Sequence, residues 1–400
     1  MKIYDIVHLR KHMEYYKRCF DLRSVINRKS MFLFGPRQTG KTSYIKNQLL
    51  SDMEVGLFWT LLDGRLRIRL ESDIGLLRQE VEVRNLHDCL IVIDEIQKCP
   101  KLLDEVHYLI EERNIRFLLT GSSARKLKNA GVNLLGGRAT ERHMHPFTFP
   151  EIGSHKDYNL HHIFEHGLLP SVYLSEDPME DLAAYTNTYL TEEIAAEGTA
   201  RNIPAFSNFL MVAALTNTQI INYTNIANDC KMSSQTIKQW YDILETTLIG
   251  YKVEAYTRTQ KRKAFASPKF YFFDIAVARY LKDIPAVEEN TSEFGEFFEQ
   301  LVCMELRAWI DYKSPRSKLC YWRSLSMSEV DFCLDDNLAI EVKASKNVTE
   351  KHLKGLKTLR EEGIFKKYIV VCQEEHPRTI DGILILPWKY FFKQLWADSL

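Results

Sequence analysis

No run of about 18 apolar residues occurs in the 400-residue chain, so nothing in it reads as a membrane-spanning helix. The segment MKIYDIVHLRKHMEYYKRCF has no apolar stretch of the kind a secretory signal needs, and a cytoplasmic protein is expected. None of the eight cysteines forms a C-x-x-C pair, which argues against a zinc ribbon or a disulfide framework and fits a reducing compartment. Net charge is absent too: 53 Lys and Arg offset 53 Asp and Glu. Any nucleic-acid surface must therefore be local rather than global. What the chain does have is length and an ordinary apolar content, 45% hydrophobic with 26% charged residues, enough for roughly two to four globular domains.

The most specific stretch is FLFGPRQTGKTSY, Phe32 to Tyr44. Gly35, four residues, then Gly40-Lys41-Thr42 satisfy the phosphate-binding pattern G-x-x-x-x-G-K-[ST]. Met31-Phe32-Leu33-Phe34 suits a buried strand, and Thr42 to Leu50 can continue as a helix, so the order is strand, Gly-rich loop, helix. First-turn N–H groups lack intrahelical partners and the helix dipole favours an anion. Residues Gly35, Pro36, Arg37, Gln38, Thr39, Gly40, Lys41, Thr42 and Ser43 are thus expected to cradle phosphates. Lys41 would reach the β- and γ-phosphates, and the Thr42 hydroxyl would sit on Mg²⁺. The implied ligand is a nucleoside triphosphate. No guanine-reading N-K-x-D sequence occurs, which favours ATP over GTP.

A second strand, Gly56 to Asp63, ends in a turn at Asp63-Gly64. Cys89-Leu90-Ile91-Val92-Ile93-Asp94-Glu95 then reads as a strand buried on both faces of a parallel sheet. Its two carboxylates fall at the C-terminal end, where ligands sit in open α/β sheets. Asp94 would hold Mg²⁺ through water and Glu95 would polarise the attacking water, so hydrolysis is expected rather than binding alone. Ile115 to Ser123 is a third buried strand running into a polar turn, where Ser122 or Thr120 could sense the γ-phosphate or simply end the strand. Arg138, after Gly136-Gly137, is either an arginine finger on the transferring phosphoryl group or a surface salt bridge.

GPRQTGKT, LIVIDEIQK, FLLTGSSARKL and GGRAxxxxxHPFTFPEI, in this order and spacing, resemble the prokaryotic AAA-type ATPases that carry an uncharacterised C-terminal domain. The resemblance covers essentially the whole chain. It implies an AAA-type α/β core over residues 21–153, following an N-terminal helical segment over 1–20, with ATP as the nucleotide. It also implies a helical lid over 154–205. Ile3, Ile6, Leu9, Leu22, Val25 and Ile26 give the N-terminal segment a helical spacing, and Tyr185, Tyr189 and Ile194 do the same for the lid. Glu192 and Glu193 read as a solvated helix face.

Residues 206–288 form a different unit. Phe209 to Leu215, Tyr223 to Asn228 with Thr224 as N-cap, and Met232 to Tyr241 capped at Ser233 or Ser234 give the spacing of a helix-turn-helix. Strand-like Ile249 to Ala255, the basic Arg258 to Lys263 and Lys269 to Asp274 complete a winged-helix-like shape. Gln235, Lys238 and Gln239 could face a DNA groove while Lys261, Arg262 and Lys263 hold phosphates. Six Lys or Arg residues lie between Tyr251 and Lys269 against one acid, Glu254. The other reading of the same unit is a protein–protein contact.

Over 289–400, an amphipathic helix from Ser292 to Val302 precedes strands at Leu319 to Trp322, Glu329 to Leu334 and Leu338 to Ala344. Period-2 alternation puts Glu341 and Lys343 on one face, with Asp331 beside them across a hairpin. This D…E-x-K pattern resembles the PD-(D/E)XK nuclease fold. The resemblance implies that Asp331 and Glu341 hold Mg²⁺ and that Lys343 orients or deprotonates water. Glu299 on the leading helix is the further metal ligand, with Glu296 as its rival.

The resulting fold class is α/β: an AAA-type P-loop core with a helical lid, then a winged-helix domain, then a restriction-endonuclease-like α/β domain. Two functions follow. One is an ATPase that couples nucleotide state to DNA binding and metal-dependent cleavage of nucleic acid. The other is an ATP-dependent switch acting through a protein partner, with the nuclease-like domain inactive. Neither needs a membrane, and the sequence leaves oligomeric state open.

Overall fold

The computed structural model describes residues 15–125, 127, 135–190 and 202–400. Strands β1 (Ser30–Phe34), β2 (Leu57–Thr60), β3 (Leu90–Asp94), β4 (Arg116–Gly121) and β5 (Ala139–His143) form one parallel sheet in the order β2-β3-β4-β1-β5. β1 and β3 are buried at every position because the sheet has apolar cover on both faces. With β4 lying between β1 and β3, the C-terminal ends of all three strands come side by side. Those ends carry the phosphate-loop glycines, Asp94-Glu95, and Thr120 to Ser122. Gly35 must be glycine, since a Cβ there would stand 2.5 Å from the Met144 carbonyl. After the loop the chain turns as a helix at Lys41–Tyr44, widens through Ile45–Leu49 and closes with Leu50–Asp52.

A second sheet of eight strands has the order β12-β13-β11-β10-β9-β8-β6-β7. Its strands are β6 (Gly250–Ala255), β7 (Lys269–Phe272), β8 (Leu319–Arg323), β9 (Glu329–Leu334), β10 (Leu338–Val342), β11 (Lys367–Cys372), β12 (Arg378–Ile380) and β13 (Ile383–Pro387). The 22-residue helix Ser292–Lys313 covers one face and the helix Lys354–Arg360 covers the other. Gly355 lets the second helix lie against β9, where a Cβ would come within 1.9 Å of the Glu329 carbonyl.

The helix-turn-helix spacing appears as Ile203–Leu215, Tyr223–Cys230 and Ser234–Thr246. Ser233 caps the third helix through Thr236 N. The second is capped by Asn222, whose side chain accepts from Asn225 N, and not by Thr224, which lies inside the helix. The β6–β7 hairpin is not a free wing. β6 pairs in parallel with β8 at Glu254–Cys320 and Ala255–Tyr321, which makes the hairpin the edge of the C-terminal sheet.

One continuous apolar core runs from Phe147 through the lid, the three helices and the hairpin to Trp396. Residues 154–190, 202–288 and 289–400 therefore pack as one body rather than as three separate cores. Tyr185 is buried in that core. Ile194, Glu192, Glu193 and the side chain of Tyr189 lie outside the described residues, as do residues 1–14. Of the segment expected to be helical at the N-terminus, Tyr15 to Phe20 is irregular, and the first described helix is Arg23–Ile26.

Candidate functional site

Hydroxyls and carboxylates from three strand ends and from the start of the phosphate-loop helix meet beside the phosphate loop. Thr42 Oγ1 donates to Asp94 Oδ2 at 2.9 Å, Thr120 Oγ1 to Asp94 Oδ1 at 2.5 Å, and Thr60 Oγ1 to Asp94 Oδ2 at 3.3 Å. Asp94 is fully buried. Glu95 follows it in the left-handed region, φ 65°, which costs a non-glycine residue about 1 kcal/mol and turns its side chain out of the strand. Its N–H is held by Thr120 Oγ1 at 3.1 Å. Gln97 donates to the Glu95 carboxylate and lies 3.4 Å from Ser122 Oγ. Thr120 thus braces Asp94 and the Glu95 backbone, while Ser122 meets Glu95 through Gln97.

Lys41 is buried, with Nζ donating to the carbonyls of Gly35 at 2.6 Å and Pro36 at 2.9 Å. Thr39 Oγ1 donates to Pro36 O at 2.8 Å, and Gln38 Oε1 accepts from Ser171 Oγ at 2.7 Å. Gln38 and Gly40 take positive φ, 63° and 91°, which shapes the loop. A cleft of about 560 Å³ opens onto Arg37, Gln38, Gly40, Lys41, Thr42, Ser43 and Glu95. Its far wall is Tyr15, Tyr16, Leu62, Phe147, Pro170 and Leu174, an apolar and aromatic lining beside a polar floor. Thr42 opens onto this cleft, and Asp94 lies buried behind it with its carboxylate bonded to Thr42, Thr60 and Thr120; the two are the hard oxygen groups that a Mg²⁺ ion would draw on.

Arg138 does not join this site. It precedes Ala139, which pairs with Ser30 at the start of β1, whereas the phosphate loop follows Phe34 at its end. Four residues of strand separate them, roughly 13 Å along the sheet. Arg138 is 40% exposed and bridges to Glu111. As a finger it could serve only another subunit's nucleotide.

Arg18, which no motif of the sequence marks, is buried against the loop. Its Nη1 donates to Thr39 O at 2.6 Å, its Nη2 to His145 O at 2.7 Å, and its Nε to Glu151 at 2.8 Å. His145 Nε2 in turn meets Asp311 Oδ2 at 2.6 Å, and its backbone N–H donates to Tyr312 Oη at 2.9 Å. Phe20 stacks between Tyr44 of the phosphate-loop helix and Tyr312 of the long helix, with centroids 4.9 and 4.7 Å away. The loop is thereby in direct register with the helix that carries the C-terminal body.

In that body Asp331, Glu341, Lys343 and Glu299 do converge. Val342 N donates to Asp331 Oδ2 at 2.8 Å, and Lys343 Nζ lies 2.6 Å from Glu341 Oε1. Glu299 Oε1 accepts from Tyr271 Oη at 2.6 Å and from Lys269 Nζ at 3.2 Å. Glu296 faces elsewhere, to Lys282 at 2.5 Å and Asn217 at 3.0 Å. Lys269, on β7, had no role in the sequence reading. Its Nζ also reaches Glu329 at 2.6 Å and Asp331 at 3.7 Å. Burial raises the Glu299 and Glu341 carboxyls, opposed by the lysines beside them.

The basic hairpin tip is likewise engaged. Lys261 donates to the Glu361 carbonyl, and Arg262 lies 2.5 Å from the Glu361 carboxylate. Glu362 accepts from the N–H groups of Gln260 and Lys261, both at 2.9 Å. Lys252 pairs with Asp242, and Arg258 with Asp336. Of the side chains expected to hold phosphates, Arg262 thus pairs with a carboxylate of the chain itself and Lys261 with a backbone carbonyl, while Lys263 stays exposed.

Sheet order, phosphate loop and the Asp94-Glu95 strand end give this part of the chain the form of a P-loop, ATP-binding domain of the AAA type. Residues 27–153 match the family model described as an AAA domain. Residues 157–288 and 294–391 match two models described as domains of unknown function, DUF8612 and DUF4143. An uncharacterized protein of Haemophilus influenzae is 23% identical over 334 residues, 79% of this chain and 80% of that protein. The structure of the Aeropyrum pernix Orc1 protein in complex with DNA matches over 66% of this chain and 93% of that chain. Its identity is 14% and its TM-score 0.24, too remote to bear on the fold. Among the described residues no helix is long and apolar enough to cross a membrane.

Proposed function

We propose that the AAA-type core hydrolyses ATP and passes its nucleotide state to the C-terminal body, which acts on a partner as a switch. The observation that carries this reading is the single network of Thr42, Asp94, Glu95, Thr120 and Gln97, which opens onto the cleft at Thr42 and Glu95. Backbone N–H groups at the start of the phosphate-loop helix would receive phosphate oxygens, and Lys41 would exchange its two carbonyl partners for the β- and γ-phosphates. Thr42 and Asp94 would hold Mg²⁺, which when bound supplies charge neutralisation across those oxygens. Glu95 would orient and polarise the attacking water, with Gln97 and Ser122 fixing its carboxylate. A change at the loop reaches the long helix through Arg18, His145 and Asp311.

A protein partner is favoured over free phosphate backbone by the hairpin tip, whose Lys261 and Arg262 already face Glu361 and Glu362. DNA as the partner keeps one observation in its support: Gln235, Lys238 and Gln239 are exposed on the third helix of the trio. ATP turnover of the full chain, measured with and without duplex and single-stranded DNA, separates the two. Turnover that rises with DNA and returns to basal in Lys238→Ala selects DNA; turnover indifferent to every DNA tested selects the protein-partner switch. Absence of turnover in the wild type, with ATP still bound, would overturn hydrolysis.

A further inference from the structure

The PD-(D/E)XK resemblance implies a divalent metal on Asp331, Glu341 and Glu299, and the side chains do not fit one. Such a cation needs at least about six oxygen ligands, several of them carboxylate or water oxygens free to turn inward. Here Asp331 Oδ2 is taken by the Val342 N–H, Glu299 Oε1 by Tyr271 and Lys269, and Glu341 Oε1 by Lys343. Glu341 Oε2 is the one buried carboxylate oxygen of this cluster without a partner. Among the described residues no group of three His, Cys, Asp or Glu side chains could hold a metal ion.

We infer that the Lys269 ammonium stands where the metal would stand, and that the cluster is an ion-paired joint between the β6–β7 hairpin and the C-terminal sheet rather than a cleavage site. Lys269 Nζ lies within 4 Å of Glu299, Glu329 and Asp331, and its side chain is only 4% exposed. A buried lysine is tolerated where carboxylates surround it, and removing the cation alone leaves buried like charges uncompensated. Lys343 on Glu341 and Arg323, 3.4 Å from Glu329, bring the cluster to three cations facing four carboxylates. The three cations come from β7, β8 and the end of β10, so the joint crosses the sheet from its hairpin edge to its centre. Lys269 also explains why the hairpin stays with this sheet. Its neighbour Phe270 packs towards the helices, on Tyr241, while Lys269 turns the other way into the carboxylates.

The test is divalent-metal binding by the nucleotide-free full chain, independent of any activity. Mn²⁺ is titrated calorimetrically into wild type, Asp331→Asn, Lys269→Met and the double variant, with melting temperature followed in parallel. The expected result is that wild type and Asp331→Asn give the same isotherm, because the cluster takes no metal. Lys269→Met should melt lower, gain one Mn²⁺ site, and recover about 3 °C or more with saturating Mn²⁺. That site should vanish in the double variant. A wild-type component lost in Asp331→Asn would overturn the proposal, as would a folded Lys269→Met that gains nothing. If Lys269→Met does not fold, the comparison of wild type with Asp331→Asn still decides whether the native cluster holds metal. ATP turnover is not involved, so failure here and failure of the ATPase reading are distinguishable.

Discussion

At the residue scale the proposed nucleotide site would divide into groups that bind and groups that react. Lys41 is a buried cation whose Nζ donates to the Gly35 and Pro36 carbonyls of its own loop, which places its charge where phosphate oxygens would enter. Lys41→Ala should weaken ATP binding by about 100-fold, equivalent to about 2.7 kcal/mol, in a fluorescent-nucleotide titration. Glu95→Gln keeps the shape and the Gln97 contact region but removes the negative charge. ATP should still bind while phosphate release falls about 100-fold or more; unchanged turnover would remove Glu95 from the chemistry. Gly121 supplies a subtler probe. A Cβ there would stand 2.5 Å from Gln97 Oε1, so Gly121→Ala must displace Gln97 from Glu95 while leaving Lys41 and Thr42 alone. Turnover should drop several-fold with affinity preserved. The sequence showed Lys41, Asp94 and Glu95 because each lies in a contiguous motif with its own strand. Gln97 and Arg18 stayed hidden because their roles depend on Ser122 and on Thr39, His145 and Glu151, which no local pattern links to them.

Elements show why one motif reading survived and another changed. The strand-loop-helix at β1 is a local unit, and parallel pairing with β4 and β5 only fixes where it sits. The hairpin β6–β7 is also local, but its meaning is set about 100 residues later by Glu361 and Glu362 at the end of the helix Lys354–Arg360. Charge counting along the chain could not see that Arg262 pairs with Glu361 and that the backbone of the tip is held by Glu362. The same helix is fixed to β9 by its glycine. Gly355→Ala drives a Cβ to 1.9 Å from a backbone carbonyl, which no rotamer change relieves. We expect a loss of about 3 kcal/mol or more in denaturant unfolding, far above the few tenths gained from helix propensity. A stable Gly355→Ala protein would mean that the helix can lift off β9.

For the whole molecule, the deciding fact is where the cores run. The AAA-type sheet keeps its own apolar layers, while the lid, the helical trio and the C-terminal sheet share one, closed by the long helix. Phe164 packs on Phe294 and Phe297, and Tyr271 on Phe332, so residues 157–288 alone would expose those faces. The two bodies then meet beside the phosphate loop, through the Arg18, His145 and Asp311 contacts and the Phe20–Tyr312 stack. Burial alone would raise the Asp311 carboxyl, but the hydrogen bond and charge of His145, with Arg307 and His143 nearby, hold it down to about 2. A carboxyl whose folded pKa is depressed stabilises the fold above its unfolded value and loses that contribution as pH falls through the folded one. The joint should therefore weaken between about pH 4 and pH 2, by roughly 2 kcal/mol in all. Asp311→Asn should flatten this acid limb of the unfolding free energy and, near neutral pH, start from a less stable protein. If nucleotide state passes through this joint, ATP should also slow amide exchange around Asp311 and Tyr312 in the wild type and lose that effect in Asp311→Asn. Exchange there that is blind to ATP in both proteins would leave the two bodies packed together but uncoupled.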